Sequence, residues 1–497
     1  MKRIFIFIAC AICACNGFSQ YDANWTFGDG LGWHFTEDTI VFFDSSIWGY
    51  EAMATISDSS GNLLFYTNGQ NVWNKEQELM PNGTGLEIGQ IGSDSAFGSS
   101  TTQGVLIIPK PNSSNIYYIF YIKNPPFGDG LGYSIIDLSL DDGKGDIIEK
   151  NINLNELDLT EKMQAVKHAN GRDWWLVNIK YAPVFDGDSS YKFIKYLITP
   201  TEIEGPFIQE YGPLFDFTIG LAGVGQMKFN HQGNILANPR GIHVDLFDFD
   251  RCTGDFDNIY TIENVYEHGT YGCEFSSDGS KLYITTGIFS GSGDTELVQF
   301  CLDCKDEVID STRVIIYKEN FGNYKLTQIQ SGADDKMYVA MSYHLSTSGY
   351  VFGYPNMNLS VINSPNNLGL SCDFDTLSLG LNGKGVVFGL PNMPNYNLGA
   401  LPGSGCDTVI SGVINSEQLK NAITIYPNPA SEYIIISGDI NANDILKIYS
   451  ADGRVVLQEK IYTTNTKVHI SKLPSGVYVI QIIEDGWVKY SEKLLKE

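Results

Sequence analysis

Positive charge is scarce in this sequence: 32 Lys and Arg face 58 Asp and Glu, a formal net charge of −26 over 497 residues. A nucleic-acid binder needs a basic footprint for phosphates, so no nucleic-acid partner is expected, and like-charge repulsion disfavours bare anionic membrane. Long apolar runs are also missing. The run from Ile4 to Ala14 falls short of the roughly 18 residues that cross a bilayer, and no later stretch reaches that length, so no transmembrane segment is expected. There is no G-x-S-x-G elbow, H-E-x-x-H helix or phosphate-cradling loop, which removes the commonest hydrolase and nucleotide signatures. Histidine is sparse at seven residues, and His168, His231 and His469 read as core or surface residues ahead of catalytic or metal roles.

What is abundant points to strands. The chain is 43% hydrophobic and 12% aromatic, with 28 Tyr, 27 Phe and 51 Gly, a composition of half-buried strands joined by tight turns. Its length calls for two or three folding units. Lys2 and Arg3 precede the short apolar run, and small polar residues follow it, the layout of a cleaved export signal over residues 1–19. Cleavage after Ser19 would leave a chain of formal charge −28; a lipoprotein reading would instead place the cut at Cys15. Residues 423–497 hold eight Lys and Arg against nine Asp and Glu, so nearly all the excess acid lies in the middle of the chain.

That middle repeats. Residues 54–67, 106–120, 165–177, 227–237, 273–285, 329–340 and 377–388 each read as strand, tight polar turn, strand. The turns at Gly61 and Gly383 bound six intervals of about 54 residues. A period near that length, with several short strands per unit, marks the blade of a β-propeller, because one blade cannot cover its own faces. Residues 20–400 therefore predict about seven blades, with Asn24 to Phe27 joining the last blade to close the ring. Residues 401–422 are rich in Gly and Ser and read as a linker. Segments 54–75, 165–177 and 273–285 resemble the propeller region of large exported Bacteroidetes proteins, which implies fold and location more than chemistry.

The chemistry-bearing residues are few. Six cysteines lie beyond residue 19, an even number that permits disulfides in an exported chain. Cys301 and Cys304 have C-x-x-C spacing without a second half-site, which favours a local disulfide over zinc, and Cys252 and Cys273 are expected to pair with each other. No cofactor is expected unless calcium binds; Asp29, Asp129, Asp141 and Asp146, in Gly-rich or acidic loops, are its candidates. The run Asp245 to Asp250 reads as a half-buried strand with a solvated acidic face. Trp174 and Trp175 point to opposite faces of a strand, one into the core and one free to stack on a sugar. A sialidase-type glycosidase would need S-x-D-x-G boxes and an arginine cluster, whereas residues 20–422 hold only Arg172, Arg240, Arg251 and Arg313.

The last 75 residues carry ordered motifs: Tyr426-Pro427-Asn428-Pro429-Ala430, the hairpin turn Asp452-Gly453, and Leu473-Pro474-Ser475-Gly476-Val477-Tyr478. They resemble the type A sorting domain of type IX secretion substrates. The resemblance implies a small immunoglobulin-like β-sandwich over 423–497, the type IX machinery as partner, and delivery through the periplasm to the cell surface or medium. The whole is read as all-β: a signal, an acidic propeller of about seven blades and a sorting domain. Two functions remain open, a propeller that binds an extracellular polysaccharide or protein, and an extracellular hydrolase.

Overall fold

The computed structural model describes residues 20–36, 39–88, 98–123, 129–181, 190–213, 223–287, 294–304, 307–320, 324–343, 353–407, 423–438, 440, 444–450, 455–463, 465–484 and 487–497. The export signal, Asp452, Gly453 and residues 408–422 of the expected linker lie outside them. Contacts divide the chain into two compact units, Met1–Asp407 and Thr408–Glu497.

The first unit is a β-propeller whose described residues form seven consecutive antiparallel sheets, over 24–48, 54–84, 105–155, 159–213, 228–262, 270–319 and 324–380. The first sheet has three strands and the others four, and every sheet runs in sequence order. Successive sheets touch through their first strands, which puts those strands innermost. There the burial is nearly complete on both faces, as in Ala54–Ser57 and Thr270–Phe275. Their polar residues bond between sheets: Thr55 Oγ1 receives the Thr26 amide at 3.1 Å, and Gln328 Nε2 donates to Thr102 O at 2.8 Å. Such bonds offset the cost of burying polar groups near the axis.

The ring closes by side-chain packing. Asn24–Phe27 pairs within its own sheet with Asp29–Phe35, so it does not join the last blade as expected. Instead Trp25 and Trp33 meet Tyr338 of the seventh sheet at 5.6 and 5.1 Å between ring centres. Two departures from the repeat offset each other in the blade count: the sheet at 24–48 has a turn that is not spaced like the rest, and 377–388 does not start a blade. Phe374–Gly380 is the outermost strand of the seventh sheet, and the chain beyond it turns inward.

That inward turn is the main feature the repeat pattern hides. The Phe388 amide bonds Tyr50 O at 3.2 Å, the Leu390 amide bonds Gln328 Oε1 at 2.7 Å, and the Asn392 amide bonds Met53 O at 2.7 Å. The Asn392 side chain donates to Val105 O and Met163 O, both at 3.2 Å, and accepts from Gln164 Nε2 at 2.7 Å. Tyr396 OH reaches Ile107 O at 2.8 Å, and the Leu401 amide bonds Ala169 O at 2.8 Å. Residues 388–401 therefore thread among the inner strands. Pro391 and Pro394 lack the donors a ladder needs, which keeps the segment from becoming a strand and leaves its amide side chains to bond the walls.

The disulfides follow that path. Cys252 joins Cys406, not Cys273, and Cys301 joins Cys304. Cys273 sits wholly buried in the inner strand Thr270–Phe275, away from the turn that carries Cys252, and burial raises its thiol. Cys372 is also a buried free thiol. Residues 401–407 thus belong to the propeller unit, so the structural division falls inside the stretch read as linker.

The second unit is a sandwich of two sheets. One holds Ile423–Tyr426, Tyr433–Gly438 and Thr466–His469; the other holds Val455–Lys460, Ile445–Ser450, Gly476–Glu484 and Trp487–Lys496 in that spatial order. Its core is its own, with Ile434, Ile436, Leu446, Ile448, Ile480, Ile482 and Leu494 buried between the sheets.

Candidate functional site

Where the inner strands of the fourth to seventh sheets approach their turns, they leave a cavity of about 80 Å³. Gln164, Lys228, Glu274 and Gln330 line it, one residue from each of four successive sheets, with Asp22 and Asn395 among the other lining groups. Lys228 Nζ lies 2.5 Å from Gln330 Oε1 and 3.4 Å from Glu274 Oε2, and Glu274 Oε2 also accepts the Ser331 amide at 3.2 Å. The pair is buried and self-compensated, so it orders the wall without leaving net charge. Burial raises the Asp22 carboxyl, and the nearby His231 charge opposes that rise. Asn395 Nδ2 donates to His231 O at 3.0 Å, which fixes the inward-threaded segment as one wall. Phe229, Met393 and Leu398 add apolar surface. The cavity has room for several waters or one small polar group.

None of the individual residues singled out in the sequence lines this cavity except His231. A signal was present: Lys228, Glu274 and Gln330 each stand five residues before the turn residues Gly233, Gly279 and Asp335. A polar side chain buried at the same repeat position in three sheets has to be satisfied or used.

A second polar cluster lies among the inner strands. The Glu51 carboxylate accepts from Tyr271 OH, and Glu161 Oε2 accepts the Thr102 amide at 2.9 Å and its hydroxyl at 3.0 Å. Burial pushes the Glu51 carboxyl well above its usual range, and the charge of Glu161 adds to the effect. Burial likewise raises Glu161. Next to it, the fully buried Lys162 donates to Asn238 Oδ1 at 2.9 Å, and burial lowers it to about 7. The sign of the carboxyl shift sets a pH effect. A raised folded-state value means the folded chain binds more protons than the unfolded one, so stability falls as pH rises from 4.5 through the raised value. Thermal melts of the full chain should show that fall, and Glu51→Gln should flatten it. A variant whose pH profile overlays the parent would contradict the assignment.

The sequence-expected residues scatter. Asp29 is exposed in the first sheet and Asp129 is exposed ahead of the strand Leu131–Asp137, Asp141 lies 3.6 Å from Lys144 Nζ, and Asp146 accepts from Asn82 Nδ2 at 2.9 Å. The structure does not bring these four together; among the described residues the one cluster of three metal-type ligands is Cys301, Asp303 and Cys304, where the two sulfurs are bonded to each other. Trp174 and Trp175 are both buried, so neither indole is offered to a sugar: Trp174 packs on Tyr396 of the threaded segment and Trp175 Nε1 donates to Arg251 O. Asp245 is wholly buried against Arg240, with Asp245 Oδ1 3.2 Å from Arg240 Nη2, while Asp248 is exposed, so the expected acidic face is half real.

In the sandwich the motif residues act on the last strand. Asn428 Nδ2 donates to Lys493 O at 2.6 Å, and Asn428 Oδ1 accepts the Leu495 amide at 2.9 Å. Ala430 bonds Leu495 and Glu497 through the backbone, both at 2.9 Å. Tyr426 is exposed beside Pro427 and Pro429 at the start of this turn. Leu473 and Pro474 lead into Gly476, which opens the strand Gly476–Glu484, and Tyr478 OH donates to Pro474 O at 2.8 Å.

Residues 424–497 match the secretion system C-terminal sorting domain family. This is the address of type IX export, and it places the chain in the medium or on the outer-membrane surface. Among the described residues no helix is long and apolar enough to cross a membrane. No curated protein matches the chain. Solved structures similar in fold include PorZ, an essential bacterial surface component of the type IX secretion system of Porphyromonas gingivalis, at 12% identity and TM-score 0.35 over 96% of this chain and 59% of that one. A puromycin-hydrolyzing peptidase of Mycobacterium tuberculosis is 10% identical with TM-score 0.39, over 96% and 62%. The Cps50 (Swd1) β-propeller domain of Myceliophteria thermophila is 13% identical with TM-score 0.28, over 77% and 97%. The chain thus spans about three fifths of the first two, and at these TM-scores the likenesses carry no argument about what the chain does.

Proposed function

We propose that this exported chain is a binding protein whose propeller takes a neutral, hydroxyl-rich group, such as the end of an extracellular polysaccharide, in the cavity beside the threaded segment. The observation that carries the reading is the convergence of Gln164, Lys228, Glu274, Gln330 and Asn395 on one cavity of about 80 Å³. Amide and hydroxyl groups exchange hydrogen bonds in both directions, and a mutually neutralised Lys–Glu pair favours an uncharged guest over an ion. The apolar Phe229 beside them suits the C–H face of a sugar ring.

The test is calorimetric titration of the full chain with a panel of glycan fragments, followed by Gln330→Ala. Removing one cavity-lining amide, the partner of Lys228 Nζ, should weaken the best binder roughly tenfold, about 1.4 kcal/mol, with the fold unchanged. Equal affinity in parent and variant would move binding elsewhere. The hydrolase alternative draws on Asp22, a carboxyl that burial holds up beside His231 and that would serve as an acid. Turnover of any fragment, abolished by Asp22→Asn, would replace the binding reading with that one.

A further inference from the structure

The outward face of the larger sandwich sheet is not finished like an ordinary solvent face. In the register of that sheet Val455, Tyr449, Val479 and Lys493 stand side by side, followed on one side by Val477 and Leu495 and on the other by Gln458, Lys447 and Gln481. Directly opposite residues share a face, and the alternate set, Ile448, Ile480 and Leu494, is the core. The outward set is open: Val455 is 48% exposed, Val477 46%, and Val479 and Leu495 40% each. One row further, Lys460 pairs with Ile445 and Ile445 with Ile483. The face therefore combines an aliphatic stripe with Lys447, Lys460 and Lys493, and none of these paired positions holds a carboxylate.

We propose that this face is the surface by which the sorting domain is read, and that its occupant is an acidic, partly apolar protein surface of the secretion machinery. Clustered lysines without carboxylates select an acidic partner, and the valine stripe supplies the area that leaves water. Four strands about 4.8 Å apart and four rows of residues give a face of roughly 400 Å². That is about half of one side of a standard stable interface, the size of a contact that must later release its cargo. A flat pleat with a single aromatic, Tyr449, in these rows and no amphipathic helix favours a protein over a lipid surface.

The inference rests on the sorting reading, and the experiment separates the two. In cells that export the full chain, two sets of substitutions are compared with truncation after Ala422: Val455→Thr with Val479→Thr, which keeps strand propensity, and Lys447→Glu with Lys493→Glu. Both sets should lower surface delivery about tenfold, the effect of a weakened contact worth ~1.4 kcal/mol, while folded protein accumulates in the periplasm. Lys447→Arg with Lys493→Arg should export normally. Normal delivery of both sets beside a blocked truncation overturns the face and leaves the sorting reading standing; normal delivery of the truncation overturns that reading as well. Two other outcomes also overturn the proposal. Normal export with lost binding to vesicles of phosphatidylglycerol assigns the face to membrane, and normal export with separation of the two units in solution scattering assigns it to the chain's own acidic propeller. If both sets melt the sandwich, the face is structural and the proposal falls.

Discussion

Truncation after Ala422 is expected to abolish surface delivery while leaving the propeller folded in the periplasm. The expectation follows from where the cores lie. The propeller's hydrophobic clusters run through its seven sheets, and the sandwich buries a separate set from Ile423 to Leu494. Neither core borrows a residue from the other, so removing the second should cost the first little stability. The address, by contrast, is lost entirely with residues 424–497. Carrying residues 408–497 onto a foreign exported protein should send that protein to the surface; starting at 408 rather than 401 avoids stranding Cys406 without Cys252. Cell fractionation with protease shaving reads both results. Truncated chain at the surface in normal amount would show that the sandwich is an accessory domain and that export uses another signal.

The repeat and the sorting domain were legible in the sequence because both rest on local chemistry. A tight turn demands Gly or Asp at one position, as at Gly233, Gly279 and Asp335, and alternating strands flank it, so the period is printed along the chain. The Tyr426 to Ala430 motif is legible for a related reason: Asn428 and Ala430 must bond the last strand, which fixes residue types at fixed spacing. What could not be read is whatever depends on how the sheets meet. Cys252 lies 21 residues from Cys273 and 154 from Cys406, and proximity in sequence favoured the wrong partner. One of Trp174 and Trp175 is expected to be free because strand alternation predicts one exposed face, but the packed neighbours of a propeller blade cover both faces. The cavity was hidden for the same reason. Its lining is gathered from four sheets and from the threaded segment, stretches that lie far apart in sequence.

That segment is also where the fold should be most vulnerable, and a double-mutant cycle is expected to show it. Replacing Asn392 with Ala leaves Val105 O, Met163 O and the Gln164 amide without their buried partner. At about 1–3 kcal/mol for each unsatisfied buried group, partly offset by water entering the gap, the cost should be about 3–5 kcal/mol. Cys252→Ser with Cys406→Ser opens a loop spanning 154 residues. The chain-entropy relation makes such a crosslink worth about 5 kcal/mol, an upper figure because release of the tail need not unfold the sheets. Both changes act on one event, withdrawal of residues 388–401 from among the inner strands. Once either has freed the segment the other has less to lose, so the combined cost should fall short of the sum by more than the roughly 0.5 kcal/mol scatter of independent sites. Native-state proteolysis supplies the local reading: cleavage within 388–407 should appear first, in both variants, while the seven sheets remain resistant. Strict additivity, with cleavage beginning elsewhere, would mean that the disulfide staples the propeller rim without holding the threaded segment in place.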